Sequence, residues 1–174
     1  PLPGVSLRVA GPDGVAVANG DVGNIQVKGP NVFPGYWKLP DKTAEDFTED
    51  GFFNTGDKGL IDKDGYLAIV GRAKDLIITG GLNVYPREVE LLIDDIAGVV
   101  ESAVIGVPHP DFGEAVTAIV VIEAGAALEA EDIIGQVRAR AANFKVPKKV
   151  YLVQGLPRNA MGKVQKNLLR EQYA

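Results

Sequence analysis

Cysteine is absent from all 174 residues, which excludes disulfides, thiolate catalysis and thiolate metal sites. A single histidine, His109, leaves no His-rich zinc site and weighs against a Ser-His-Asp triad, and no other cluster of metal ligands stands out. No apolar run approaches the roughly 18 residues that a membrane span needs. No basic-then-apolar start marks a signal peptide, and the expectation is a cytoplasmic protein. Acidic side chains are missing from the whole stretch between Ile133 and Arg170. These absences leave Lys, Arg, Asp and backbone donors to carry any chemistry.

The chain is long enough for one or two small domains, and 46% hydrophobic residues can fill real cores. A net charge of −5 argues against general nucleic-acid binding. The acid-free stretch nevertheless carries Arg138, Arg140, Lys145, Lys148, Lys149, Arg158, Lys163, Lys166 and Arg170. It reads either as a surface for a polyanionic ligand or as solvated helix faces.

Residues 5–72 alternate short apolar stretches (Val5–Val9, Gly23–Val27, Gly59–Ile61, Tyr66–Val70) with Gly-, Asp- and Asn-rich turns. That rhythm predicts antiparallel strands closing into a small β-barrel, with a hairpin at Asp62–Gly65 and one short helix begun by Pro40 or Asp41. Trp37 is expected to anchor packing under the barrel. After Arg72 strands and helices alternate. A hairpin over roughly 67–79 leads to a helix over Pro86–Ile96, with Pro at its start. Then come a strand over Val99–Val107, a Pro-His-Pro loop, a strand over Ala115–Ile122 and a helix over Ala130–Ala142. A strand over Lys149–Val153 and a helix over Val164–Gln172 complete the series. The predicted class is α+β in two parts, 1–73 and 74–174, with the boundary at Arg72–Asp75. Pro1 stands where a natural start would be Met, so it is expected to be an internal point of a longer protein.

Five places offer chemistry. Asp57, after a Thr-Gly turn, has a carboxylate able to accept hydrogen bonds from two vicinal hydroxyls such as those of ribose, or simply to cap a turn. The guanidinium of Arg72, at a strand end, can pair with a carboxylate or reach a nucleotide. Gly80 and Gly81, followed by Asn83, permit left-handed backbone and close approach to a ligand, or a plain hairpin turn. Lys74 by itself reads as a solvated side chain. Lys163 lies just before a helix, where the dipole disfavours a cation, so its position calls for a reason. Glu88 and Glu90 suit the positive end of the Pro86 helix and need no catalytic role.

The motifs Asn54-Thr-Gly-Asp57, Gly71-Arg-Ala-Lys-Asp75 through Gly80-Gly-Leu-Asn83, and Pro157-Arg-Asn-Ala-Met-Gly-Lys163 occur in this order. Together they resemble the C-terminal third of the adenylate-forming enzymes: acyl-CoA synthetases, peptide-synthetase adenylation domains and luciferases. The resemblance implies that residues 1–73 are the terminal barrel of a large N-terminal domain and 74–174 a mobile C-terminal domain. It puts Asp57 and Arg72 on the nucleotide, makes Lys74 the hinge, and lines a CoA tunnel with Gly80, Gly81 and Asn83, with Arg87 near the CoA phosphates. It makes Lys163 the catalytic lysine of adenylation and a target of reversible acetylation by an acetyltransferase and deacetylase.

The implied reaction joins a carboxylate to CoA through an acyl-adenylate, with ATP, CoA and Mg²⁺ as cofactors. Lys28–Trp37, Val100–Glu114 and Asn159–Asn167 are similar to bacterial malonyl-CoA synthetases, which implies malonate. Medium-chain or aryl acyl-CoA synthetases, carrier-protein loading enzymes, a luciferase-like monooxygenase and a non-enzymatic binding module remain the alternatives. No Ser/Thr/Gly-rich phosphate loop and no Tyr-Gly-x-Thr-Glu segment occur, so these residues alone are expected to be inactive, with Mg²⁺ ligands and acyl pocket elsewhere.

Overall fold

The computed structural model describes residues 1–174, which divide into two compact units, Pro1–Lys74 and Asp75–Ala174. The first holds a four-stranded antiparallel sheet in the order β1 (Ser6–Ala10), β2 (Gly23–Lys28), β3 (Phe53–Ile61), β4 (Leu67–Arg72). Asp62 shapes the β3–β4 turn through its carboxylate, which accepts the amides of Asp64 and Tyr66 at 2.9 Å each. A short helix, α1 (Pro40–Asp46), starts at its proline.

This sheet is open and not the expected barrel, because β1 and β4 remain its two edges. Short alternating strands and tight turns specify pairing between neighbours. Closure depends on tilt and stagger across the whole sheet, which four short strands do not supply. Trp37 also departs from expectation, being 86% exposed. Phe33 takes the anchoring role instead, with ring centroids 5.0 Å from Tyr36, 5.6 Å from Phe47 and 5.1 Å from Phe53. The other face of this unit carries a polar chain: Asp50 pairs with Arg8 at 2.7 Å, and Arg8 donates to buried Gln26 at 2.6 Å. Gln26 donates to Asn54 at 2.7 Å. The guanidinium of Arg8, with help from the Thr48 hydroxyl, holds the Asp50 carboxyl down to about 2.

At Gly59 the sheet is backbone against backbone. A Cβ there would lie 2.6 Å from the Ala68 carbonyl oxygen and 2.7 Å from Ile25 Cδ1. Gly59→Ala is therefore expected to cost about 1–3 kcal/mol of stability by overpacking. Denaturant unfolding followed through this unit checks it, and an unchanged midpoint would contradict the steric account.

The second unit is a five-stranded sheet with helices on both faces. Its path runs β6 (Leu82–Val84), β5 (Ile77–Thr79), β8 (Gly113–Ile122), β7 (Val99–His109), and β9 (Lys149–Val153) pairs parallel with β8. Strand side chains alternate between faces, and β8 is buried on both, so Ala115–Val121 is an unbroken buried run. Val116, Ala118 and Val120 face a core shared with Val89 and Ile93 of α2 (Pro86–Asp94) and Ile133 and Val137 of α3 (Ala130–Arg140). Ile119 and Val121 face the opposite core with Leu156 and with Leu169 of α4 (Lys166–Tyr173). The α+β class expected from the alternation holds.

Boundaries shift where local bonds compete. The first helix of this unit stops at Asp94, because the Ala97-Gly98 turn leads directly into β7. The last begins at Lys166 and not Val164, because Val164 bridges to Arg158 and the Gln165 amide donates to the Pro157 carbonyl at 2.8 Å. No helix is long and apolar enough to cross a membrane.

Candidate functional site

Asp57 sits within β3, not at a free turn; β3 is irregular there, with a register shift after Lys58 and Gly56 at φ +77°. The register places Asp57 opposite Arg72 at the end of β4. Arg72 Nε lies 3.0 Å from Asp57 Oδ1, with the carboxylate side chain 25% exposed and the guanidinium 53%. The pair is thus preassembled: engagement through Nε leaves both terminal guanidinium nitrogens of Arg72 available. The two groups, a carboxylate that accepts from hydroxyls and a guanidinium fork that donates to phosphate oxygens, fit a nucleotide. Lys74 follows on an exposed 3₁₀ turn, Ala73–Asp75, where β4 has ended.

Gly80 and Gly81 are the two central residues of the β5–β6 hairpin, with φ of +56° and +78°. Left-handed backbone at both positions is the primed turn that suits strand twist, and glycine adopts it without strain. Asn83 lies exposed on β6, opposite Ile78. The hairpin is docked on the tip of β7–β8: the Gly80 amide donates to the Phe112 carbonyl at 2.8 Å, and Ile78 N–H to Glu114 at 2.7 Å. At that tip His109 ends β7, and its ring is stacked at 4.7 Å on Phe112, so it is more ordered than the loop residue expected.

Lys163 projects from a tight hairpin of its own. The Asn159 amide donates to the Lys163 carbonyl at 2.9 Å, and the Asn159 side-chain oxygen accepts the Met161 and Lys163 amides at 3.0 Å each. Arg158, at the hairpin's base, pairs with Glu101 of β7. Glu101 and His109 are eight residues apart on β7, so the Lys163 hairpin and the Gly80–Gly81 hairpin dock roughly 26 Å apart along that strand.

The basic C-terminal segment is mostly neutralised. Five of its nine cations are paired: Arg140 with Asp95 at 2.7 Å, Lys145 with Glu88 at 2.5 Å, Arg158 with Glu101, Lys166 with Glu90 at 2.5 Å and Arg170 with Asp75 at 2.7 Å. Lys148 and Lys149 lie over the rings of Phe112 and Tyr151. Lys163 is exposed and has no ion pair. A general polyanion surface is therefore not what this segment forms.

Two carboxylates of α2 have partners beyond the helix dipole. Glu88 bonds Lys145, and Glu90 is only 6% exposed, accepting the Val104 amide at 3.0 Å and the Lys166 ammonium. Glu90 had a detectable signal: with Pro86, Val89 and Ile93 it occupies the apolar stripe of α2. Arg87 is 3.5 Å from Asp94 and 3.9 Å from Glu90, on the helix's own surface.

The first unit thus presents a carboxylate–guanidinium pair, and the second a double-glycine hairpin and an exposed lysine without an ion pair. Comparison with known proteins gives the family. Residues 88–163 match the family model of the AMP-binding enzyme C-terminal domain. A methyl-dioxo-octahydro-indenyl-propanoyl:CoA ligase of Rhodococcus jostii (strain RHA1) is 48% identical over 98% of this chain and 31% of its own length. A feruloyl-CoA synthase of an Amycolatopsis species is 44% identical over 96% of this chain and 34% of its own length. Among solved structures, ATP-bound MatB from Rhodopseudomonas palustris is 59% identical, with a TM-score of 0.95 over 99% of this chain and 34% of that one. Its apo structure, 60% identical over 99% of this chain and 34% of that one, gives 0.75. The chain thus carries an AMP-binding enzyme C-terminal domain and is homologous over nearly its full length to acyl-CoA ligases. It spans about a third of the length of the curated relatives it matches.

Proposed function

We propose that this chain is the C-terminal part of an AMP-forming acid–thiol ligase, with malonate as the acid. A carboxylate oxygen attacks the α-phosphorus of ATP, giving acyl-AMP and pyrophosphate. The CoA thiolate then attacks the acyl carbon, the bond to the phosphate oxygen breaks, and AMP leaves with the electron pair. In this reading Asp57 accepts the ribose hydroxyls and Arg72 holds the nucleotide beside it. Lys163 neutralises the approaching carboxylate and α-phosphate in the first step. Gly80, Gly81 and Asn83 line the passage of the CoA thiol in the second. Mg²⁺ enters with ATP, on ligands expected outside these residues, and the setting is cytoplasmic.

The observation that carries the reading is that Lys163 alone is left unpaired on a rigid hairpin whose neighbouring cations are tied to carboxylates. The separation of the two hairpins along β7 supports a division of labour between half-reactions. A single bound acyl-adenylate is too small to meet both, so a moving domain hinged at Lys74 brings them in by turns. MatB superposes at 0.95 with ATP and 0.75 without over the same residues, so this region of that protein has more than one shape.

Malonate rests on likeness to MatB, a malonyl-CoA synthetase. Relatives at 44–48% identity named for bulkier, ring-bearing acids favour an aryl or cyclic acid as the second reading. The test is carboxylate-dependent pyrophosphate release by the full-length protein offered malonate, methylmalonate, acetate, octanoate, coumarate and ferulate. Release with malonate and CoA thioester formation are expected. Preference for another acid would discard malonate and keep the mechanism; silence from folded protein across the panel would discard the ligase reading.

A further inference from the structure

We infer that Glu90 is a positioning residue for Lys163, acting through Lys166. The inference rests on the reading of Lys163 as the group that meets the phosphate.

Lys163 is flanked by cations five residues before and three and seven residues after: Arg158, Lys166 and Arg170. Each is held by a carboxylate from another part of the same unit, Glu101 on β7, Glu90 on α2 and Asp75 at the unit's first residue. Glu90 is the most buried of the three, at 8% side-chain exposure against 29% and 14% for Glu101 and Asp75. One oxygen of Glu90, Oε1, accepts both the Val104 amide at 3.0 Å and the Lys166 ammonium at 2.5 Å. The carboxylate therefore ties α2, β7 and α4 at one point. A cation in the first turn of a helix opposes the dipole, and Gln165 offers α4 no side-chain cap. Lys166 sits there because Glu90 balances it.

The consequence reaches Lys163 through the backbone. The hairpin that carries it is closed at its base by Gln165 N–H on the Pro157 carbonyl, directly before Lys166. Fixing Lys166 fixes that base, and the Asn159 bonds transmit the position to the tip. Without the anchor, α4 keeps its apolar contact through Leu169, but the hairpin base is free to shift. A displacement of about 1 Å at a catalytic group can cost about 10²-fold.

The test uses full-length protein carrying Glu90→Gln, Lys166→Met, Lys166→Arg or Lys163→Ala, with two readouts: steady-state adenylation and amide hydrogen exchange. Lys166→Met is expected to lower adenylation kcat about 10- to 100-fold with KM for ATP within about threefold. Exchange at the Lys163 and Gln165 amides should rise about tenfold or more relative to the core amides of Ile119 and Val120. Lys166→Arg should restore both readouts to within about threefold, since it keeps the charge and a donor. If Glu90→Gln fails to fold, Lys166→Met alone decides. A loss of kcat without local exchange, or exchange without loss of kcat, overturns the inference, as does retention of both. Should Lys163→Ala adenylate normally, the functional reading falls. Should it be crippled while Lys166→Met is not, only the positioning role falls.

Discussion

Lys163→Ala in the full-length protein is expected to slow pyrophosphate formation by about 10²–10³-fold, the usual cost of removing one electrostatic contact to a developing charge. The physical case is the contrast between this lysine and its neighbours. Ammonium groups in pairs have already spent their charge on a partner; Lys166 touches Glu90 at 2.5 Å. Lys163 is exposed and unpaired on a hairpin fixed by Asn159. An unpaired cation on an ordered support is available to a ligand at no cost in broken contacts. Most of the loss should appear in kcat, because in the proposed mechanism the charge acts where the carboxylate closes on the phosphate and not where ATP first binds. Acetylation of Lys163 removes the same charge and should mimic Ala. A rate within about threefold of the parent, for either form, would remove Lys163 from the mechanism.

Lys74→Pro is expected to spare one half-reaction and to depress the other by about 10²-fold or more, the scale of a misplaced catalytic group. Lys74 lies on an exposed 3₁₀ turn between β4 and the second unit, where little packing opposes a change in backbone angles. Proline fixes φ near −65° and restricts Ala73 before it, so the segment is confined to fewer conformations. The proposed hinge, which would visit two, is then held near one. Pyrophosphate release measures the first half-reaction, and thioester formation from supplied acyl-adenylate the second. Equal retention of both would show that no rotation at Lys74 is needed.

Much of the architecture was legible because it depends on local chemistry. Pro86 marks the start of α2, the Asp62–Gly65 turn joins β3 to β4, and the β-branched run after Gly113 is the central strand β8. The motifs were legible for the same reason: Gly80-Gly81 forms a two-residue turn, and the stretch from Asn159 to Lys163 bonds within itself. Other features depended on distant partners. Trp37 and Phe33 are both aromatic and close in sequence, and only packing decides that Phe33 is the anchor. Glu88 and Glu90 look alike from sequence, yet one is exposed beside Lys145 and the other is buried beneath Lys166, 76 residues away.

By itself the sequence determined the class of fold, the order of its elements and the groups proposed to meet a nucleotide, because periodicity, turn residues and motif spacing are local properties. Tertiary structure decided that the first sheet stays open, that Asp57 and Arg72 meet at 3.0 Å, and that the two hairpins dock far apart on β7. It also decided that the cations on either side of Lys163, Arg158 and Lys166, are paired while Lys163 is not. Charge pairing depends on which carboxylate the fold carries to each cation, and no spacing along the chain encodes that.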